Sequence, residues 1–357
     1  MPQSKTAILT GNHHTPAIEL IHQLETDNDF YWKIIYISKL SSQETHLTKT
    51  IIPHRQILFY NLNSGKFDRR QILPTIAGIP LTILAIFYSL YLLLRHQPNV
   101  VISFGGYSSL PVIIASWFLR IPSITHEQTL TNSLTTRLSS FFATKIALSF
   151  QNPAQIKQLP KNKTIITGNL LRHDIYQNNL PSFLNSKFLN SKFPLIYITG
   201  GNQGSHVINL TIKKLLPKLK NYFIIHQLGP LDYTNNIKTD NYIPLEYVSS
   251  VDIGWIFKHA TIIISRAGAN TCQEISVFNI PSILIPLPYS QQNEQYKNAL
   301  WLKSLQPDRT VIIKQSKLTA KKLLSTIQKL AATNFSHHQK TVDSNHKFIN
   351  LVHELVK

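Results

Sequence analysis

A single cysteine, Cys272, in 357 residues excludes internal disulfides and a cysteine-based metal site, and fits a reducing compartment. No signal-peptide apolar region precedes the first strand-like run, Ala7-Ile8-Leu9, so the expectation is a chain that is not addressed outward. The dinucleotide fingerprint G-x-G-x-x-G is missing where a first strand turns into a helix, which removes support for dinucleotide binding there. Acidic residues are scarce, 17 Asp+Glu against 36 Lys+Arg. The resulting net charge of +19 calls for an anionic partner. Long basic runs, an RNA-binding signature and a Cys/His finger are all absent, so nucleic acid is not the expected partner. Basic residues number 13 against 7 acidic over residues 1–160 and 23 against 10 beyond, which makes the C-terminal part the more basic.

What is present is a folded α/β chain, with 43% hydrophobic and 10% aromatic residues and enough length for two cores. The first unit reads as strand (Thr6–Thr10), loop (Gly11–Thr15) and helix (Pro16–Leu24), with proline at the tolerated first turn. Strands follow at Trp32–Ser38, Gln56–Tyr60, Asn99–Ser103, Pro122–Thr125, 141–149 and 164–167. A helix is expected at Leu110–Leu119, after Gly105-Gly106-Tyr107. Residues 71–94 carry no charge and are flanked by Arg69, Arg70 and Arg95. Pro74, Gly78 and Pro80 leave a helix of only Leu81–Arg95, short for a membrane span of about 20 residues. The expectation is a crossover helix whose outer face, through Leu84, Phe87 and Leu94, dips into an anionic bilayer surface. Asp27-Asn28-Asp29 imitates a metal-binding D-x-D but reads as a solvated loop.

The polar segment 171–192, with a duplicated FLNSKF, reads as a linker. The α/β rhythm then restarts with strand Pro194–Thr199, the turn Gly200–Gly204, helix Val207–Leu219, strands Tyr222–Gln227 and Tyr242–Val248, and helix Val251–Phe257. The stretch 262–298 reads as strand (Ile262–Ile264), turn (Ser265–Gly268), helix carrying Glu274, strand (Pro281–Leu287), and a loop of amides with one carboxylate. Those are the parts a sugar nucleotide needs: N–H groups for phosphate, a carboxylate for the ribose diol, and amides for sugar hydroxyls. Residues 338–357 form a helix-spaced tail. The boundaries are therefore 1–170, 171–192, 193–337 and 338–357, the last expected to pack back on the first domain. Two doubly wound domains facing across a cleft are the expected architecture.

Gly105-Gly-Tyr-Ser with His126-Glu127-Gln128, Gly168-Asn-Leu-Leu-Arg172, Gly200-Gly-Asn-Gln-Gly204, and Arg266-Ala-Gly through Glu274 to Gln295 occur in order across nearly the whole chain. Together they resemble the MurG family of peptidoglycan glycosyltransferases. The resemblance implies a GT-B fold and a metal-independent, inverting transfer without cofactor. N-acetylglucosamine would pass from UDP-GlcNAc to the C4 hydroxyl of a polyprenyl-pyrophosphate-linked muramyl pentapeptide, in cell-wall synthesis serving cell shape and division. It also implies a peripheral place on the cytoplasmic face of the plasma membrane.

On the donor side the resemblance puts Val248 at the uracil, and Arg172, Asn202 and Gln203 at the UDP moiety. Ala269, Asn270, Thr271, Cys272 and Gln273 pack on the nucleotide, with Glu274 on the ribose hydroxyls and Glu294, Gln295 and Asn298 on the sugar; Arg266 and Gly268 are further donor-side candidates. Thr10, Gly11, Asn12 and Thr129 are further donor-side candidates from the first domain. His14, Thr15, Gly105, Gly106, Tyr107 and His126 belong to the acceptor side, together with the rest of the Thr10–Thr15 loop. His13 is the first candidate for the base and Glu127 the second. Arg266 either meets leaving-group charge or braces its own turn. The first loop departs from the family's glycine-rich form, Asn202 stands for the usual Ser, and Tyr289 for the usual His. Three other readings stay open: transfer to another lipid-linked acceptor, a non-enzymatic UDP-sugar or lipid sensor, and, on charge alone, a nucleic-acid binder.

Overall fold

The computed structural model describes residues 2–39, 57–65, 76–184, 193–233, 239–333, 335 and 343–357. The arginine pair at 69–70, the start of the strand expected from Gln56, most of the FLNSKF duplication and the first residues of the tail lie outside them. Two compact units emerge, Met1–Leu171 with Asp343–Lys357, and Arg172–Val342. Arg172, expected in a linker, thus belongs to the second unit.

The first unit is a seven-stranded parallel sheet in the order β3-β2-β1-β4-β5-β6-β7. Its strands are β1 (Gln3–Thr10), β2 (Phe30–Ser38), β3 (Leu58–Asn61), β4 (Val100–Ser103), β5 (Ser123–Glu127), β6 (Lys145–Leu148) and β7 (Thr164–Ile166). Its helices include α1 (His14–Glu25), α2 (Ile79–His96), α3 (Ser109–Phe118) and α4 (Leu134–Phe142), the short turn of helix Pro153–Ile156, and a closing helix at Ser344–Val356. Alternation along each strand feeds two cores, as a parallel sheet covered on both faces demands. Ala7, Leu9, Ile102 and Phe104 meet α1 and the closing helix Ser344–Val356, whose Phe348 and Val352 are fully buried. Ile8, Val101 and Ile37 meet Leu92 and Leu93 of α2 and Val112 and Ile113 of α3 on the opposite face.

Residues 141 and 142, expected in a strand, instead end α4. The hydroxyl of Ser133 caps that helix by accepting from the Thr136 N–H, and an N-cap outweighs the strand preference of two phenylalanines at its far end. The closing helix is anchored at both ends. Asn345 Nδ2 donates to Glu19 Oε1 at 2.8 Å, and Lys5 Nζ donates to the Val356 carbonyl at 2.8 Å. Asp27 is not the solvated loop residue expected, because its Oδ2 accepts from Trp32 Nε1 at 2.6 Å and lies 2.8 Å from His353 Nε2.

Helix α2 runs 18 residues, long and apolar enough by length and composition to cross a membrane. Its inward stripe, Ala85, Leu92 and Leu93, is part of the sheet core. The Thr82 and Ser89 hydroxyls also face inward and return to the Gly78 and Ala85 carbonyls of their own helix. The outward face is therefore apolar, with Leu84 65%, Phe87 64% and Leu94 60% exposed.

The second unit is a six-stranded parallel sheet, β10-β9-β8-β11-β12-β13. Its strands are β8 (Leu195–Thr199), β9 (Phe223–Gln227), β10 (Tyr242–Leu245), β11 (Ala260–Ser265), β12 (Ser282–Leu284) and β13 (Thr310–Ile312). Helices α5 (His206–Leu215), α6 (Ser250–His259), α7 (Ala269–Phe278), α8 (Glu294–Leu305) and α9 (Ala320–Ala332) complete it. Ile196, Ile198, Ile262 and Ile264 pack against Ile208 and Ile212 of α5 and Leu323 and Ile327 of α9. In each unit the strand order reverses beside its first strand, at β1/β4 and at β8/β11, and these switch points are where open α/β sheets bind ligands. Both units match the Rossmann-like halves expected of a GT-B protein.

Candidate active site

In the first unit the loops after β1 and β4 touch backbone to backbone. Asn12 N–H donates to the Gly105 carbonyl at 3.0 Å. Gly11 has φ +115°, and a side chain there would lie 2.4 Å from that same carbonyl oxygen, so glycine is required. The Gly11 carbonyl accepts from the hydroxyls of Tyr36 at 2.9 Å and Ser38 at 3.1 Å. The His13 ring lies over Gly105, where an added Cβ would come within 3.3 Å of Cδ2. Asn12 Oδ1 accepts from the Ser108 hydroxyl at 3.0 Å and leans on Gly106. Thr15 and Tyr107 are half-buried beside these loops.

Burial pushes the His13 pKa below its ordinary value, and the negative charge of Glu127 pulls it back upward. His14, half-buried and beside His13, is lowered to about 4 by desolvation and by the neighbouring imidazole. His13 is thus held neutral near pH 7, the form that accepts a proton.

Glu127 itself is closed off by four hydrogen bonds. Its Oε1 accepts from Thr129 N–H at 3.2 Å and the Thr129 hydroxyl at 3.0 Å. Its Oε2 accepts from Ser133 N–H at 2.9 Å and the Thr136 hydroxyl at 2.6 Å. A carboxylate that is 2% exposed with both oxygens so engaged organises its loop and supplies charge to His13. Thr129, expected to touch the donor, turns inward: its N–H donates to Glu127, and its one hydroxyl hydrogen is shared between Glu127 Oε1 at 3.0 Å and the Thr131 carbonyl at 2.8 Å.

His126, expected to meet the acceptor, is a core histidine. Its Nε2 pairs with Ser149 Oγ at 3.0 Å, its ring lies edge-on to Phe104 and Phe348, and burial lowers its pKa to about 3. Thr10, expected on the donor, is fully buried at the end of the central strand.

In the second unit Arg172, Asn202, Val248, Thr271 and Glu274 line one small cavity of about 50 Å³. Arg172 Nε and Nη2 both donate to Glu274 Oε1, at 2.9 and 2.8 Å. Burial opposes the charge of Arg172, but Glu274 beside it holds the pKa above the ordinary value. Sequence reasoning missed the rest of the lining, Tyr197, Thr199, Gln227, Tyr247, Ile253 and Phe257, which only the fold collects from separate elements.

The glycine turn sits at this cavity. Gly201 has φ +85° with open space where a Cβ would be, while a Cβ on Gly204 would strike the Leu228 carbonyl at 1.8 Å. Asn202 and Gln203 are exposed at its tip. Gly268, Ala269 and Asn270 open α7 and are half-exposed. Cys272, expected against the nucleotide, is a correction: its side chain is wholly buried and burial drives the thiol pKa up. Gln273 is likewise buried, because the helix turns these two inward and Thr271 and Glu274 toward the cavity.

Arg266 braces its turn, Nη1 donating to the Ile285 carbonyl at 3.0 Å, and burial lowers its pKa. The expected polar loop is in part the opening of a helix. Glu294, Gln295 and Asn298 lie on the first turns of α8, Gln295 Oε1 accepts from Leu287 N–H at 3.0 Å, and buried Asn298 donates to the Ala267 carbonyl at 3.1 Å. A second cavity, about 500 Å³, is lined by Val207, Leu287, Tyr289, Asn293, Tyr296 and Lys314 among others.

Comparison with known proteins agrees with both halves. The model described as "Glycosyltransferase family 28 N-terminal domain" matches residues 6–148, and "Glycosyltransferase family 28 C-terminal domain" matches 195–356. The UDP-N-acetylglucosamine--N-acetylmuramyl-(pentapeptide) pyrophosphoryl-undecaprenol N-acetylglucosamine transferase of Clostridium kluyveri is 31% identical over 98% of this chain and 99% of its own length. The same-named protein of Borreliella afzelii is 34% identical over 83% of this chain and 79% of its own. The crystal structure of Acinetobacter baumannii MurG matches with a TM-score of 0.69 at 20% identity, covering 98% of this chain and 99% of that one.

Proposed function

The chain belongs to glycosyltransferase family 28, and from that premise we infer that it is a UDP-GlcNAc-dependent N-acetylglucosaminyltransferase of peptidoglycan synthesis. Its acceptor is the lipid-linked N-acetylmuramyl pentapeptide. The observation that carries this reading is the full-length kinship with transferases of that name, joined to an Arg172–Glu274 pair in a cavity at the β8/β11 switch point.

In this reading neutral His13 takes the proton from the attacking acceptor hydroxyl. Glu127 keeps the imidazole basic enough to do so and favours the imidazolium that forms. The carboxylate of Glu274 accepts from the ribose hydroxyls. Arg172, the N–H groups of the Gly200–Gly204 turn and the N-terminus of α5 meet the diphosphate charge, so the proposed chemistry uses no metal and no cofactor. A cavity of about 50 Å³ is far below the roughly 300–1,000 Å³ of small-molecule sites.

The apolar outward face of α2 supports a peripheral place at a membrane surface. Liposome flotation tests it: Leu84, Phe87 and Leu94 changed together to Ser should abolish co-flotation, and unchanged flotation refutes the contact. For the reaction, purified protein is incubated with labelled UDP-GlcNAc and the muramyl-pentapeptide lipid. Transfer to that lipid is expected. No transfer to it, alongside transfer to a different lipid-linked acceptor, overturns the assignment.

A further inference from the structure

Gln227 ends strand β9 and is 4% exposed, yet lines the donor cavity. Its amide makes three hydrogen bonds to three separate pieces of that cavity. Nε2 donates to the Gly201 carbonyl at 2.9 Å, and Oε1 accepts from the Tyr197 hydroxyl at 3.1 Å and from Val248 N–H at 3.2 Å. Gly201 lies in the turn read above as meeting the diphosphate, Tyr197 lies on β8 in the cavity wall, and Val248 follows β10 where the base is expected.

The chemistry requires an amide. One partner is a carbonyl and needs a donor; the other two are O–H and N–H and need an acceptor. Among side chains of this length only glutamine offers both.

Gln227 is itself held still. The preceding residue, His226, points to the opposite face of the sheet, where Nε2 pairs with Asn209 Oδ1 at 3.0 Å and Nδ1 with the Tyr242 hydroxyl at 3.0 Å. Asn209 Nδ2 in turn donates to the Leu228 carbonyl at 2.9 Å and Asp232 Oδ2 at 2.7 Å. Beyond Gln227 the backbone is locked as well: Leu228 N–H donates to the Leu245 carbonyl at 2.8 Å and Gly229 N–H to the Glu246 carbonyl at 3.1 Å. A rigid strand end thus presents one amide between two loops that carry no regular structure of their own.

We propose that Gln227 is a positioning residue that sets the spacing between the diphosphate turn and the base-binding backbone at Val248. The donor pocket then recognises a nucleoside diphosphate as one piece and not as two separable halves. This rests on the UDP-sugar reading above. Fixing two half-sites at the right separation is what makes a linked ligand bind better than its fragments.

The test compares wild type with Gln227→Met, which keeps the volume and loses all three bonds, and Gln227→Glu, which keeps the acceptors and loses the donor to Gly201. UDP, uridine and pyrophosphate are titrated against each protein, and steady-state kinetics are measured with UDP-GlcNAc. For Gln227→Met, KM for UDP-GlcNAc and Kd for UDP should rise roughly tenfold or more, the scale of one misplaced buried hydrogen bond. The fall in kcat should be smaller, and uridine and pyrophosphate binding should change little. For Gln227→Glu, UDP and pyrophosphate should weaken together, because a carboxylate faces the phosphate turn, while uridine is retained. Equal weakening of all three ligands by Gln227→Met, or no change in UDP affinity in either variant, overturns the proposal. If wild type itself does not bind UDP, the donor reading falls first and Gln227 with it; wild-type binding with an indifferent variant removes only the role of Gln227.

Discussion

Glu127→Gln separates the two roles open to that carboxylate. Four donors converge on it, two on each oxygen, and each oxygen receives one backbone N–H and one hydroxyl. A glutamine amide keeps one acceptor oxygen and turns an N–H₂ toward the other pair. The hydroxyl of that pair can rotate and accept; the backbone N–H cannot. Whichever way the amide lies, one partly buried N–H is left without a protein acceptor, at a cost of about 1–3 kcal/mol. At ~2–4 °C per kcal/mol for a domain of this size, the unfolding transition should fall by roughly 2–12 °C. The catalytic consequence has a definite sign. Glu127 raises the His13 pKa against burial, so removing its charge lowers that pKa further. The acid limb of the kcat/KM pH profile should move to lower pH, and the plateau should fall, because the imidazole is less basic and its cation less favoured, but by well under the loss expected for removal of the base itself. A pH–rate series on the variant, with melting followed by circular dichroism, measures both. Loss of activity by a factor of about 10² or more at every pH, with an unchanged melting temperature, would mean that Glu127 is the base and refute the reasoning.

His13→Asn should lower kcat by about 10²–10⁴, the usual contribution of a general base, with UDP affinity unchanged by calorimetry; a near-normal kcat rules His13 out. Arg172→Met leaves the nearly inaccessible Glu274 without its cation and should weaken UDP binding, which titration calorimetry will read; tighter binding would mean that the ion pair only obstructs the cavity. His126 and His226 are buried neutral with pKa values of about 3, below the unfolded value of 6.5. The unfolded chain therefore binds protons first, so each histidine withdraws stability as pH falls below 6.5, about 2 kcal/mol by pH 5. Urea midpoints from pH 8 to 5 should decline for both units, and a flat profile refutes it. Burial pushes the Asp27 pKa up, yet hydrogen bonds from Trp32, the Asp29 N–H and His353 outweigh it and hold the pKa low. That stabilising contribution is present above the unfolded pKa and lost on acidification through the folded one. Asp27→Asn should remove it, seen as a lower melting temperature at pH 7 whose deficit shrinks near pH 3.

The sequence made the donor side legible because its signals are local. A β-branched run, Ile262–Ile264, breaks at a polar turn, and the helical offset carries Glu274 toward the cavity that Thr271 also reaches. The same offset could have warned that Cys272 and Gln273 turn inward, had the buried face of α7 been known. Gln227 was invisible for a different reason. Its three partners are Gly201, Tyr197 and Val248, and only the parallel order of β10, β9 and β8 brings them together. His126 reads like a loop residue beside Glu127, but strand alternation sends it to the core between Phe104 and Phe348. Residues 141–142 were misplaced because aromatic strand preference is a short-range cue, while the cap that fixes α4 sits at Ser133.

The closing helix makes the first unit discontinuous in the chain. Residues 344–356 leave the ribosome only after the whole of 172–342 has been made, so the N-terminal core must wait with Leu20, Phe104 and Ile102 lacking their Phe348 and Val352 partners. The second unit, continuous in sequence, can close first, reversing the usual N-to-C order of domain folding. A chain truncated before residue 344 and released should hold a protease-resistant second unit and a susceptible first one, and a helix supplied in trans as a separate 343–357 peptide should protect the first.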